Sequence, residues 1–289
     1  MIKITPAIKQ YLEIKEKHQD AILFFRMGDF YEMFFDDAKI ASKVLEITLT
    51  SRNKGSGIPL CGIPYHAVSS YIAKLIEQGF KVAICEQVED PASAKGIVKR
   101  EVTRIITPGL VEDPDNLKSS ENNYLMGIFP KEDHFGIAFL DISTGEFRAS
   151  DLIGMDALSE EVMRIGPKEI LLPCTCRESV PWDECLRQWN PSLVNYLDLS
   201  AFDQERSRQR LLDQFGTTSL SGFGSEGLME GIQAAGAVLD YVQETQKRDV
   251  GHINALLPYR FHDFMIIDDW TKRNLELFET ILDRTKKGS

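Results

Sequence analysis

An aromatic ring two residues from a carboxylate, Phe30 and Glu32, stands inside the stretch Phe24 to Phe35, which reads Phe-Phe-Arg-Met-Gly-Asp-Phe-Tyr-Glu-Met-Phe-Phe. An apolar ring at the tip of a turn can be driven between base steps from the minor groove, unstacking them at a cost of roughly a few kcal/mol per step. That cost falls where pairing is already defective. A Phe wedge beside a carboxylate that accepts a hydrogen bond from a displaced base would therefore select mispaired or unpaired DNA. Glu32 would then have to lie near a base, because an anion beside the phosphate backbone is repelled. Core packing accounts for the same residues, with Phe24, Phe25, Phe34 and Phe35 flanking a Gly28-Asp29 turn.

A second candidate is Asp141 in Asp141-Ile-Ser-Thr-Gly145, at the end of an expected strand. It is similar to the first acidic strand of ribonuclease-H-like nucleases, where carboxylates hold two magnesium ions for phosphodiester hydrolysis. One carboxylate cannot do this, and Glu169 and Asp198 do not occupy convincing equivalents, so a hairpin turn is the simpler reading. The chain has no GxxxxGK[ST] phosphate loop, no GxSxG elbow and no HExxH pair. Its histidines, His18, His66, His134, His252 and His262, are scattered. A Cys61-His66 couple is conceivable on spacing, but a loop thiol near a helix start explains it as well. The five cysteines lack zinc-site spacing, so reduced, buried thiols and no metal site are expected.

The net charge of -11 argues at first against a phosphate-binding surface, which is usually basic. The acidity is unevenly placed. Residues 1–112 hold 15 Lys+Arg against 14 Asp+Glu, whereas 113–289 carry a net charge of -12. The first part can present one basic face, and the second is a poor surface for wrapping DNA. No apolar run approaches the roughly 20 residues of a membrane helix, and Met1 to Pro6 holds no apolar signal region, so the expected location is cytoplasmic with no membrane partner.

The elements that must position these residues follow from periodicity. Thr5-Pro6 starts an amphipathic helix running to about Lys17. Ala21 to Met27 reads as a buried strand, Gly28-Asp29 as a turn, and Asp36 to Leu45 as a helix with acids in its first turn. Ile47 and Leu49 with neighbouring threonines suggest a short strand. Ser51 to Pro64, rich in Gly and Pro and carrying Arg52 and Lys54, reads as a mobile basic loop. A helix follows from Tyr65 to Gln78, ended by Gly79, then a strand from Phe80 to Val88 and another over Ile97 to Ile106. Alternating helices and strands make this a mixed α/β domain, 1–112, with a linker at 113–122. A second α/β domain at 123–250 opens with strands over Tyr124 to Phe129, Phe135 to Ile142 and Glu146 to Leu152. A helix at 156–164 and a strand from Glu169 to Leu172 follow, then helices over Phe202 to Phe215 and Leu228 to Lys247. Gly231, Ala234, Ala235, Gly236 and Ala237 on the last of these imply close packing. Residues 253–289 read as the opening of a third domain, a short strand and a polar helix from Asp268 to about Asp283.

Six segments together resemble one family. Gly28-Asp-Phe-Tyr-Glu-Met-Phe34, Gly62-Ile-Pro-Tyr-His-Ala67, Val82-Ala-Ile-Cys-Glu-Gln87, Arg104-Ile-Ile-Thr-Pro-Gly109, Leu140-Asp-Ile-Ser-Thr-Gly145 and Arg273-Asn-Leu-Glu276 look like the N-terminal third of the bacterial MutS family of DNA mismatch-recognition proteins. The resemblance implies a mixed-sheet α/β mismatch-recognition domain, then a ribonuclease-H-like α/β connector, then the first helix of a helical core domain. It implies that Phe30 stacks on the mispaired base and Glu32 hydrogen-bonds it, with Met27, Arg52, Lys54, His66 and Arg104 as candidates for contacts to the surrounding DNA. It further implies duplex DNA with mismatches or small loops as ligand, MutL as a partner through the connector, and a homodimer in the complete protein. ATP and Mg would belong to a C-terminal ABC-type ATPase absent from these residues. No cofactor and no enzymatic activity are expected of the chain itself.

Overall fold

In the computed structural model the described residues are 5–51, 57–89, 96–111, 122–247 and 250–260, together with Thr271, Asn274 and Leu275. The first helix, α1 (Pro6–Lys17), starts as its capping residue dictates: Thr5 is extended and its hydroxyl accepts from the Ile8 amide, with Pro6 at the first helical position. Its apolar stripe, Ile8 and Tyr11, is buried on a mixed sheet. That sheet is built from β1 (Ala21–Met27), β2 (Phe30–Phe34), β3 (Thr50–Ser51), β4 (Pro59–Pro64), β5 (Lys81–Gln87) and β6 (Arg100–Ile106), in the order β3-β4-β2-β1-β5-β6. β1 and β5 run parallel, and the other pairs are antiparallel. The helices α2 (Phe35–Leu45) and α3 (Val68–Glu77) cover the other face.

Asp37 joins three of these elements. Its buried carboxylate accepts from the Tyr11 hydroxyl (2.8 Å), the Lys15 ammonium (2.8 Å) and the Leu23 amide (3.0 Å), so α1, β1 and α2 meet at one anion. The charge is affordable because it is both paired and hydrogen-bonded.

Two expectations in this region change. Ile47 and Leu49 are not in a strand, and pairing begins only at Thr50-Ser51. Of the expected Ser51 to Pro64 loop, Pro59 to Pro64 is a strand that pairs with all of β2. Pro59 and Pro64 sit at its two ends, where a missing N–H least disturbs the ladder, so the prolines that suggested a loop mark the strand's limits. Arg52 and Lys54 lie outside the described residues.

The second sheet is an antiparallel meander of β7 (Tyr124–Lys131), β8 (His134–Asp141) and β9 (Glu146–Ile153), extended by the parallel strands β10 (Glu169–Pro173) and β11 (Leu193–Leu197) beside β7. This meets the expectation of an α/β unit of the ribonuclease-H-like kind. The helices α4 (Met155–Ile165) and α5 (Val180–Trp189) pack on one face, while α6 (Gln204–Phe215) and α7 (Glu230–Gln246) form the other layer. α7 is buried along nearly its whole length, as its small residues require: Gly127 and Gly136 on the sheet let its backbone close in. α5 and β11 are not among the elements expected from the sequence. Val250, Ile253 and Leu256 enter this core, and β12 (Leu257–Pro258) pairs in parallel with β9. The second unit therefore extends past residue 250. The expected linker at 113–122 and helix from Asp268 fall almost entirely outside the described residues.

Candidate nucleic-acid interface

β1 and β2 form a hairpin whose register, Phe25 with Glu32, Arg26 with Tyr31 and Met27 with Phe30, leaves only Gly28 and Asp29 in the turn. Gly28 has φ +60, a left-handed conformation that a side chain resists and glycine accepts. Alternation along β2 then sorts its side chains. Phe30, Glu32 and Phe34 point to the α1 face, and Tyr31 and Met33 to the α2/α3 face. Phe24, Phe25 and Phe34 are buried and Phe35 is half-buried, with Tyr11 meeting Phe25 and Phe34 edge-on at 5.6 and 4.9 Å between ring centres. Phe30 alone breaks the pattern, with 48% of its surface exposed. The packed frame and the projecting ring are thus separate sets of residues.

Glu32 lies on the same face as Phe30, half-buried, and its neighbour on β4 is Gly62. A Cβ on Gly62 would stand 3.7 Å from the Glu32 Cγ, an ordinary contact, and the carboxylate's Oε2 is buried. Behind it, the side chain of Arg100 crosses from β6 over the Phe25 ring (5.0 Å) and donates to the Arg26 carbonyl (2.6 Å) and to Gln10 (3.1 Å). Burial lowers the Arg100 pKa, and the charges of Cys85 and, less strongly, Glu32 act against that shift. Arg100 is one of three basic residues over 97–106, with Lys99 and Arg104. Its reach across the sheet is a property of the fold.

The other candidates divide. Met27 faces Phe30 directly across the turn. His66 is exposed in a 3-10 turn, Tyr65–Ala67, that continues from β4, and Tyr65 is hydrogen-bonded through its amide to the Asp29 carbonyl (2.9 Å), so both lie beside the hairpin tip. Arg104 is exposed on the edge strand β6, which lies three strand spacings, about 14 Å, from β2 across β1 and β5. The hairpin does not bring it beside Phe30. Cys61 is buried and donates weakly to the Ala38 carbonyl (3.4 Å), and burial pushes the thiols of Cys61 and Cys85 up to about 12. Cys61 is an inert core residue, with no couple to the exposed His66.

Asp141 is a turn clamp. It is 2% exposed, one oxygen accepts from the Ser143 amide and hydroxyl (2.9 and 2.6 Å), and the other from the Asn123 amide (3.2 Å). Asp198 caps the turn at Ser200 (2.9 Å), and Glu169 is sealed between the two sheets. Among the described residues no group of three or more His, Cys, Asp or Glu side chains is arranged to hold a metal. The carboxylate oxygens already accept from backbone, hydroxyl and carboxamide groups, so this geometry does not favour the nuclease alternative. Nor is any helix of the described residues long and apolar enough to cross a membrane.

Fold and site define a two-unit mixed α/β protein whose first sheet displays an exposed ring and a half-buried carboxylate on one face of a tight hairpin. Residues 5–115 match the model of MutS domain I and residues 123–254 that of MutS domain II. The chain belongs to the MutS family. It is 50% identical over 293 aligned positions to the DNA mismatch repair protein MutS of Syntrophobacter fumaroxidans, covering all of this chain and 33% of that protein. It is 45% identical over 289 positions to that of Desulfatibacillum aliphaticivorans, covering 99% and 32%. Against that of Syntrophomonas wolfei it is 48% identical over 295 positions, covering 100% and 34%. The chain spans about a third of the length of these curated relatives.

Proposed function

We propose that this chain is the mismatch-reading part of a DNA mismatch repair protein, with Phe30 wedging into defective pairs and Glu32 accepting a hydrogen bond from the displaced base. The observation that carries the reading is the exposure of Phe30 alone among the tightly packed aromatics of its hairpin, with Glu32 on the same face. The names of the relatives support it. Met27 and His66 flank the wedge and would meet DNA next to it, while Arg52, Lys54 and Arg104 would supply charge to phosphates farther out. The second unit would pass the bound state to an ATP- and Mg-dependent domain in the remaining two thirds of the relatives' length, and would be where MutL docks. The complete protein would act as a cytoplasmic homodimer.

The test compares binding of the full-length protein to a duplex with one mispair and to the matched duplex at a fixed salt concentration. Tighter binding to the mispaired duplex is expected. Equal affinities would sink the proposal, and magnesium-dependent cleavage abolished by Asp141→Ala would replace it with the nuclease reading. Affinity for the matched duplex should fall steeply as salt is raised, because it rests on phosphate neutralisation.

A further inference from the structure

Arg26 stands opposite Tyr31 in the hairpin, on the face away from Phe30, yet it touches the turn that presents that ring. Its Nε donates to the Gly28 carbonyl (2.6 Å). Its guanidinium lies over the Tyr65 ring at 3.9 Å from the ring centre, and 5.4 Å from that of Tyr31. Tyr65 in turn donates its backbone amide to the Asp29 carbonyl (2.9 Å). Both residues of the two-residue turn therefore have their carbonyls held, one by Arg26 and the other by the residue on which Arg26 is stacked. The Arg26 carbonyl itself accepts from the buried Arg100 (2.6 Å). Tyr65 pays for this position with 43% of its surface exposed, although it packs edge-on against His66.

A two-residue turn has few ways to move except by rotating its peptide planes, and capture of both carbonyls blocks that rotation. A wedge gains discrimination from arriving at a fixed angle, since a ring free to swing would give up part of its stacking on the mispaired base as ordering entropy. We infer that Arg26, seated over the Tyr65 ring, is a positioning residue that sets mismatch specificity by immobilising the Gly28-Asp29 turn beneath Phe30. This rests on the proposed role of Phe30. A planar, forked guanidinium is needed, because an ammonium carries the same charge but neither stacks flat on a ring nor offers a donor at the Nε position.

The experiment measures affinities of the full-length protein for a duplex with one unpaired thymine and for the matched duplex, with salt slopes and thermal midpoints, for Arg26→Lys, Tyr65→Leu, Tyr65→Phe and Phe30→Ala. Arg26→Lys and Tyr65→Leu are expected to lower the mispaired-to-matched ratio by about five- to tenfold, the loss of one well-made cation–π contact and its hydrogen bond. Tyr65→Phe keeps the ring and should keep the ratio. Matched-duplex affinity and salt slope should be unchanged in Arg26→Lys. An intact ratio in Arg26→Lys beside a collapsed one in Phe30→Ala overturns the role of Arg26 alone. A parallel fall of both affinities in Arg26→Lys, with the ratio unchanged, would assign Arg26 to general duplex binding and also overturns it. An intact ratio in Phe30→Ala overturns the wedge reading and this inference together.

Discussion

Replacing Glu169 by leucine is expected to cost the chain about 3 to 5 kcal/mol of stability, visible as a lowered urea midpoint. Glu169 is fully buried at the start of β10 and accepts four hydrogen bonds. The Asn195 amide and the Tyr241 hydroxyl each donate to Oε1 at 2.6 Å, and the Gly109 amide (2.9 Å) and the Thr107 hydroxyl donate to Oε2. Burial, reinforced by the Glu169 charge, pushes the Tyr241 pKa far up, so its phenol remains a donor. Leucine would fill the volume and take away the acceptor of all four donors, leaving Asn195 only its 3.3 Å bond to the Tyr241 hydroxyl, and the cost of unmet buried donors exceeds the gain from an apolar side chain. Glu169→Gln should cost less. Asn195 can turn its carboxamide and Tyr241 its hydroxyl to face the new amide, whereas the Gly109 N–H has no alternative. The node also joins the two sheets, since Thr107 and Gly109 leave β6 while Asn195 and Tyr241 belong to β11 and α7. The approach is tight: a Cβ on Gly109 would stand 2.8 Å from that of Glu169. Loosening it should free the first sheet from the second.

Gly136→Ala is expected to destabilise by about 3 kcal/mol, the top of the usual range for overpacking, in the same urea experiment. The new Cβ would fall 1.9 Å from the carbonyl carbon of Glu230 and 2.0 Å from its oxygen. These are backbone atoms in the first turn of α7, a helix anchored there by Asp151, which accepts from the amides of Met229 (2.8 Å) and Gly231 (2.5 Å). The helix cannot retreat without breaking that cap. Gly216→Ala provides the contrast: its site is open but has φ +62, so it should lose only about 1 kcal/mol through backbone strain. A small effect at Gly136 would mean that α7 sits on the sheet less closely than its glycines indicate.

Much of this was legible in the residues because local rules and tertiary packing agree. Thr5-Pro6, the left-handed glycines after α3 and α6, and the alternation through β1 and β2 each place an element by its own chemistry. The glycine and alanine run of α7 announced a close approach, although its partners, Gly127 and Gly136, lie a hundred residues away and carry no local mark. Pro59 and Pro64 misled because proline argues against a strand interior but not against its ends. The site was half legible. Phe30 and Glu32 could be singled out by type and spacing, but only the register shows that Gly62 is the neighbour of Glu32 on β4. Arg26, Tyr65 and Arg100 meet only because the folded sheet brings distant segments of the chain together. Asp141 shows the converse, a motif whose carboxylate is consumed by its own turn.

The most direct test of the central claim is the ratio of affinities of the full-length protein for mispaired and matched duplex before and after Phe30→Ala. Stacking of one base on an aromatic ring is worth about 1 to 3 kcal/mol, so the account predicts a fall in that ratio of roughly five- to a hundredfold. Matched-duplex affinity, which depends on phosphates, should barely change. A ratio that survives the substitution would contradict the account, because no other ring on that hairpin face stands clear of the core.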